Sequence, residues 1–218
     1  MKTKKTVYFI LMYLPLVIVL VALQYLPDKI PAHYGFDNQV TRWGSRYEAL
    51  LYPIATVLMG YFLLAMSRLA ARQEEHGENN KNIIIVTGIL VLLMENALNG
   101  YFLYTAFQKV ENLSEVPVDI NQLVFGIAGV LMIVTGNIMP KLRMNSIIGL
   151  RTHWSMKNEV TWKKCQRIGG ISFIVGGIII IGVCIVLKGT SCLLSVLGIL
   201  TMLIVIDSFF TYRIAKRN

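Results

Sequence analysis

Charged residues are scarce in this chain of 218 residues. They make up 15% of the sequence, whereas soluble domains carry about 25%. Apolar residues make up 55%, and the mean hydropathy is +0.59. A soluble fold of this length would leave large apolar patches in water, and a disordered chain would be richer in charge. The composition therefore predicts an integral membrane protein.

Cysteine and catalytic motifs are also scarce. The three cysteines form no C-x-x-C pair, which argues against a zinc knuckle and against a disulfide framework. The sequence contains no H-E-x-x-H, G-x-S-x-G or P-loop motif. The histidines lie in separate loops, at His33, His76 and His153. We therefore expect no enzyme activity, no cofactor and no metal site.

Six apolar stretches dominate the chain. They cover residues 7–26, 49–66, 83–107, 123–139, 168–187 and 191–210. Each has a length in or near the range of about 17–25 residues that a helix needs to cross a bilayer, whereas barrel strands are shorter and alternate in polarity. No A-x-A-like cleavage site follows the first stretch, which therefore reads as a retained helix. The predicted fold class is all-α: a polytopic integral membrane protein with six transmembrane helices.

Basic residues are concentrated on one side of these helices. If the amino terminus lies in the cytoplasm, 16 of the 21 lysines and arginines fall on the cytoplasmic side. The positive-inside rule then predicts that both termini are cytoplasmic. The same asymmetry accounts for the net charge of +9 without a nucleic-acid partner.

The loops divide the chain into two predicted parts. Residues 1–80 form a two-helix module with an extracytoplasmic loop at 27–48, and residues 81–218 form a four-helix region with a cytoplasmic motif at 136–167. The outer loop is rich in turn-forming residues, which predicts an ordered cap over the bundle. The candidate residues of this loop are Pro27, Pro31, His33 and Trp43.

The inner loop offers two interpretations. Ser155 is a plausible N-cap for a basic amphipathic helix at 156–167, which would lie at the membrane interface with Trp154 and Trp162 as anchors. Alternatively, the segment is a solvated basic loop that only sets the topology. Spacing alone does not separate the two.

The inner loop also carries a recognisable pattern. It contains Gly136-Asn137, Pro140-Lys141, Asn145, Ile148-Gly149-Leu150-Arg151-Thr152-His153-Trp154-Ser155 and Glu159-Val160-Thr161-Trp162-Lys163-Lys164. This run resembles the signature of the SdpI family, bacterial membrane proteins that protect producers from a secreted, membrane-active killing peptide. The outer loop is similar to a small module of unknown function that precedes this signature in many members. His153 departs from the family pattern, which usually has proline there, and Ser155 replaces a usual threonine.

The resemblance implies resistance to a secreted peptide toxin at the bacterial cell membrane. It also implies signalling through recruitment of a cytoplasmic transcriptional repressor. The implied partners are therefore the toxin, the repressor and membrane lipids. The implied partner or signalling residues are Asn137, Asn145, Gly149, Arg151, Thr152, Trp154, Trp162 and Lys163.

Three polar residues within the predicted helices complete the candidates: Glu95, Asn99 and Asp207. Glu95 lies at the centre of the third apolar stretch, where a charged carboxylate is costly. Its position predicts either a polar pocket or a proton or ion path, or hydrogen bonds between helices. The first possibility supports an alternative function, a small membrane transporter or proton-coupled carrier. Asp207 is predicted to pair with Arg151 or Arg143 and so to hold the inner loop on the bundle.

Overall fold

Long apolar helices form most of the structure, a computed structural model that describes residues 2–35, 37–72, 77–145 and 147–217. His76 lies outside these ranges. Within them, six helices are long and apolar enough to cross a membrane, which confirms the predicted fold class. They are α1 (Lys2–Ala22), α2 (Leu51–Arg72), α3 (Gly77–Gln108), α4 (Ile120–Ile138), α5 (Glu159–Val186) and α6 (Gly189–Arg217).

The helices begin and end elsewhere than the apolar stretches do. Helix α5 begins at Glu159, well before the stretch predicted to start at residue 168. The side chain of Asn158 caps it by accepting a hydrogen bond from the backbone N–H of Thr161 at 2.8 Å. The separate interfacial helix predicted at 156–167 is therefore wrong, because most of these residues form the first turns of α5. Ser155, its predicted cap, lies in the preceding loop.

Two groups of helices build the bundle. Helix α3 packs on α1 and α2, and their shared core contains Tyr8, Met12 and Leu92. Helices α4, α5 and α6 form the second group, whose core includes Ile180 and Val196. The division of the chain at residue 80 stays a prediction.

Glycines bring α4 and α5 into backbone contact. A Cβ atom on Gly136 would lie 2.5 Å from the carbonyl oxygen of Gly170. A second contact of this kind joins Gly129 and Gly177, where a Cβ on Gly177 would lie 2.5 Å from the carbonyl oxygen of Gly129. Close approach through small residues is a common way of packing helices in membranes.

The outer loop is a β-hairpin, which the sequence analysis did not assign. Strand β1 (Lys29–Tyr34) pairs antiparallel with β2 (Val40–Ser45). The connecting turn places Asn38 at a φ of 64°, a left-handed conformation that asparagine tolerates. A short 3₁₀ helix, Arg46–Leu50, then leads into α2.

The hairpin is fixed to the loop between α3 and α4. The hydroxyl of Tyr34 donates to the carbonyl oxygen of Val110 at 2.9 Å, and burial raises the pKa of this tyrosine. Two backbone hydrogen bonds of 2.9 Å join the same segments: the N–H of Val40 donates to Glu111, and that of Leu113 donates to Asn38. The outer loop is thus an ordered structure, which we call the cap (residues 27–48).

Candidate functional site

The inner motif (residues 136–167) consists of the end of α4, a loop and the first turns of α5. Two buried side chains of α5 hold the loop. The indole N–H of Trp162 donates to the carbonyl oxygen of Leu142 at 3.0 Å. One turn later, Gln166 pairs with both backbone groups of Leu150: its amide donates to the carbonyl oxygen at 2.9 Å and accepts from the N–H at 3.0 Å. Only 2% of the surface of Trp162 is exposed, so its predicted role as an interfacial anchor is wrong.

A compact turn precedes this attachment. The buried carboxamide oxygen of Asn145 accepts hydrogen bonds of 2.8 Å from the backbone N–H groups of Ile147 and Ile148. Its amide donates to the carbonyl oxygen of Arg143 at 2.7 Å. Gly149 follows at a φ of +110°, where a Cβ would lie only 2.7 Å from the amide oxygen of Gln166. Glycine therefore fits this position on two grounds, backbone conformation and space.

A second turn contains Thr152 and Ser155. The N–H of Thr152 donates to the Ser155 hydroxyl at 2.8 Å, and the N–H of Ser155 donates to the Thr152 hydroxyl at 3.0 Å. The Ser155 hydroxyl also donates to the carbonyl oxygen of Leu150 at 2.9 Å. Ser155 is therefore a loop-fixing residue, and the exchange of hydrogen bonds explains why a hydroxyl suits both positions.

The remaining motif residues are exposed. Arg151 and Lys163 present their charges at the surface, and Trp154 makes an edge-to-face contact with Tyr212 of α6 at 5.6 Å between ring centroids. Asn137 donates to the carbonyl oxygen of Ile133 in its own helix. Beside these residues lies a hollow of about 510 Å³, lined by Pro140, Lys141, Leu142, Arg143, Met144, Glu159, Trp162 and Lys163. We call it the inner hollow.

Asp207 does not form the predicted ion pair. It is buried in α6, and no ion pair joins it to Arg151 or Arg143 in the part of the chain that the structure describes. One of its carboxyl oxygens is buried facing the hydroxyl of Ser172 in α5, and neither atom has another hydrogen-bond partner among the described residues. Topology placed Asp207 near the basic loop, but its side chain points into the α5–α6 contact.

The polar residues of α3 connect the first group of helices. The hydroxyl of Thr56 in α2 donates to the carboxylate of Glu95 at 3.5 Å. The amide of Asn96 donates to the carbonyl oxygen of Leu11 in α1 at 2.8 Å. Asn99, one turn beyond Glu95 and buried, lines a cavity beneath the cap. Polar side chains thus join helices here and also face a cavity.

This outer cavity has a volume of about 360 Å³. Its walls come from the cap and from α1, α2 and α3: Val19, Ile30, Pro31, Ala32, Arg42, Glu48, Ala49, Leu51, Tyr52, Ala55, Asn99, Phe102, Leu103 and Ala106. Most of these side chains are apolar, but Arg42 and Glu48 form an ion pair of 2.8 Å in the lining. The hydrogen bond and charge of Glu48 raise the pKa of Arg42, so the guanidinium stays charged. A mostly apolar cavity with a few placed polar groups is typical of a binding site.

The four residues of the cap that the sequence singled out lie in different surroundings. Pro31 is buried in β1 and lines the outer cavity, whereas Pro27 precedes the strand and is half-buried. The imidazole Nδ1 of His33 lies 2.6 Å from the hydroxyl of Thr41 across the hairpin. Trp43 is exposed on β2, at the edge of the cap. Only Pro31 among these four faces the cavity.

Sequence reasoning missed two features of these sites. Gln166 fixes the inner motif, yet a single glutamine at a helix start carries no distinctive signal. The glycine contacts did leave a signal, since Gly129 and Gly136, like Gly170 and Gly177, are seven residues apart. Two helical turns separate such residues, so each pair lies on one face of its helix.

Comparisons with known proteins agree with this architecture. Residues 141–208 match the SdpI/YfhL protein family, and residues 10–57 match a domain of unknown function, DUF1648. The chain is 24% identical to the Immunity protein SdpI of Bacillus subtilis (strain 168) over 215 residues, which covers 98% of this chain and 97% of that protein. No solved structure matches the chain.

These matches and the six helices make the chain a multi-pass bacterial membrane protein. The SdpI match begins within the inner motif and continues through α5 into α6. The DUF1648 match covers most of α1, the cap and the start of α2. The resemblance of the inner motif is thereby confirmed: residues 141–208 match the SdpI/YfhL protein family, and a match to DUF1648 precedes them.

Proposed function

We propose that this chain is a membrane immunity protein that protects its bacterium from a secreted, membrane-active peptide toxin. The observation that carries the proposal is the end-to-end similarity to the Immunity protein SdpI, which includes both the cap and the inner motif. The protein would act by binding rather than by catalysis. Toxin at the outer face and a cytoplasmic repressor at the inner motif would be its two partners.

The orientation of the chain follows the distribution of its basic residues, with the cap outside and the inner motif in the cytoplasm. Cysteine labelling tests this, because Cys165, Cys184 and Cys192 are all buried and give little background. A membrane-impermeant maleimide should label Gln39→Cys in intact cells and His153→Cys only after permeabilisation, since both positions are exposed. The reverse pattern would contradict the orientation.

The outer cavity is the proposed contact site for the toxin. Its volume of about 360 Å³ and its apolar lining suit a short apolar segment of a membrane-active peptide. The Arg42–Glu48 ion pair and the amide of Asn99 supply polar contacts to the peptide backbone. Occupation of this cavity would hold the toxin at the membrane surface and prevent its insertion.

The inner hollow is the proposed contact site for the repressor. Lys163 lines the inner hollow together with Lys141 and Arg143, and Arg151 is exposed on the neighbouring part of the inner motif. An exposed basic surface on a rigid loop favours a partner with an acidic face. Toxin binding would be communicated to this surface through the helices between the two sites.

A survival assay tests the outer half of the proposal. The chain is expressed in a bacterium that lacks its own immunity gene, and the killing peptide against which the SdpI family protects is titrated. Ala55→Phe should reduce protection because it fills the outer cavity, whereas Leu58→Phe, on the same helix but outside the cavity lining, should not. Membrane abundance is compared by blot. Equal protection by both variants would contradict toxin binding in the cavity.

The inner half needs a second readout, a reporter gene under the repressor. Arg151→Ala should keep toxin resistance and lose reporter induction at normal membrane abundance. Unchanged induction would contradict a signalling role for Arg151. No protection by the wild-type chain at any toxin dose would contradict the immunity function itself.

The transporter alternative depends on Glu95, whose carboxylate lies within the bundle one turn from the outer cavity. It predicts flux of protons or solute across vesicles that contain the purified chain. Glu95→Gln should abolish this flux if the carboxylate carries a proton. Protection that survives Glu95→Gln, together with an absence of flux, favours immunity by binding.

A further inference from the structure

A second apolar cavity, separate from the inner hollow, lies at the basic end of the bundle. It has a volume of about 270 Å³ and lies between α3, α4, α5 and the inner motif. Ile83 is near the start of α3 and Ile138 is the last residue of α4, so the cavity lies beside these two helix ends. Phe173 of α5 closes its wall on the membrane side. We call this cavity the lipid cleft.

One charged side chain, Arg151, lines the lipid cleft. It is exposed, and among the side chains that the structure describes, which exclude those of residues 73–80, no carboxylate lies within ion-pair distance of it. The cleft also contains Thr135, whose hydroxyl donates to carbonyl oxygens of its own helix at 2.7 and 3.2 Å. The lining therefore offers a long apolar wall and one guanidinium that is paired with no carboxylate among the described side chains.

We propose that the lipid cleft binds an anionic glycerophospholipid. Its acyl chain would lie along the apolar wall formed by α3, α4 and α5, and its phosphodiester would accept hydrogen bonds from Arg151. A guanidinium forms paired hydrogen bonds with phosphate oxygens, and basic pockets between transmembrane helices are known to hold lipid headgroups. A soluble phosphate would have no use for the apolar wall, which favours the lipid.

Occupation of this site needs neither toxin nor repressor, so lipid binding to the purified chain is measured separately from the proposed immunity function, although Arg151 is also one of the proposed signalling residues. The geometry assigns Arg151 a role on the membrane side of the inner motif. A lipid bound there would fill the space between the two helix groups and would contact the loop of the inner motif on the side that faces the helices.

Lipid binding to the purified full-length chain tests the proposal. The delipidated protein in detergent is titrated with phosphatidylglycerol, and bound lipid is counted by native mass spectrometry while thermal unfolding is followed in parallel. Phosphatidylcholine with the same acyl chains and glycerol phosphate without acyl chains are the two comparison ligands. We expect phosphatidylglycerol to bind and to raise the unfolding temperature, and both comparison ligands to be much weaker.

Arg151→Gln should weaken phosphatidylglycerol binding about ten-fold or more, as expected for the loss of a charged hydrogen bond. Arg72→Gln is the matched control, an exposed arginine near the same end of the bundle but outside the cleft. Equal weakening by both variants would show attraction to general positive charge and would overturn the proposal. Equal binding of phosphatidylcholine, or of glycerol phosphate, would overturn it as well.

A second variant tests the cleft without changing Arg151, whose substitution could weaken lipid binding by disturbing the fold. Thr135→Leu adds bulk to the cleft and leaves no buried partner unpaired, because the threonine hydroxyl bonds only to its own helix. It should weaken phosphatidylglycerol binding without lowering the unfolding temperature of the lipid-free protein. Full binding by Thr135→Leu would overturn the proposed position of the acyl chain.

Discussion

The backbone contact between α4 and α5 makes a sharp stability prediction. Gly136→Ala places a methyl group where the carbonyl oxygen of Gly170 would be only 2.5 Å away. A flexible side chain would rotate away from such a contact, but a helical carbonyl is fixed by its own hydrogen bond. The second nearest neighbour, Ile174, would lie 2.9 Å away. The two helices must therefore move apart along the inner half of their contact.

The size of the effect follows from overpacking in closely packed interiors, which costs about 1–3 kcal/mol for an added carbon atom. A change of 1 kcal/mol shifts the unfolding temperature of a protein of this length by about 2–4 °C. Gly136→Ala should therefore unfold about 2–12 °C below the wild type. Gly170→Ala should behave in the same way, because its Cβ would lie 2.5 Å from the carbonyl oxygen of Gly136.

Each helix supplies its own control. Gly126 in α4 and Gly182 in α5 have no atom within 4 Å of an added Cβ. Gly126→Ala and Gly182→Ala should therefore leave the unfolding temperature unchanged or raise it slightly, because alanine favours the helix. Thermal unfolding in detergent micelles can be followed by tryptophan fluorescence, since Trp162 is buried on α5. Equal unfolding temperatures for Gly136→Ala and Gly126→Ala would refute the backbone contact.

Three further substitutions test how the two loops are attached and whether Asp207 of α6 belongs to a buried ion pair. Gln166→Leu should speed trypsin cleavage within the inner motif, because it leaves the N–H of Leu150 unpaired at a cost of about 1–3 kcal/mol, while the carbonyl oxygen keeps its bond from Ser155; cleavage at the wild-type rate would contradict its positioning role. Tyr34→Phe should increase hydrogen exchange in the cap, since it removes a bond of about 0.5–1.5 kcal/mol, whereas the exposed Tyr47→Phe should not. Asp207→Asn should unfold at or above the wild-type temperature, because no ion pair is lost; a fall of about 3–5 kcal/mol in the free energy of unfolding would reveal a broken buried pair.

Hydropathy predicted the number of helices because a bilayer imposes a minimum apolar length on each span. It did not predict where the helices begin and end. The backbone remains helical beyond the apolar stretch, up to the residue where a cap or a turn ends the helix. Asn158 provides such a cap for α5, and Ser155, with the same capping chemistry, is used three residues earlier in a different turn. The local sequence does not show which of Ser155 and Asn158 caps the helix. Ser155 is instead bound through its hydroxyl to the carbonyl oxygen of Leu150, five residues earlier.

The inner motif illustrates why a family signature does not by itself identify a contact surface. Asn145, Trp162 and Gly149 shape or attach the loop, and their side chains or backbone are committed to contacts within it. Arg151 and Lys163 are exposed and keep their charges available. Loss of immunity or signalling after substitution of the first three would therefore report loop folding, whereas loss at Arg151 or Lys163 with normal abundance would report contact with a partner or a lipid. Both kinds of residue carry the resemblance equally, and only the fold separates them.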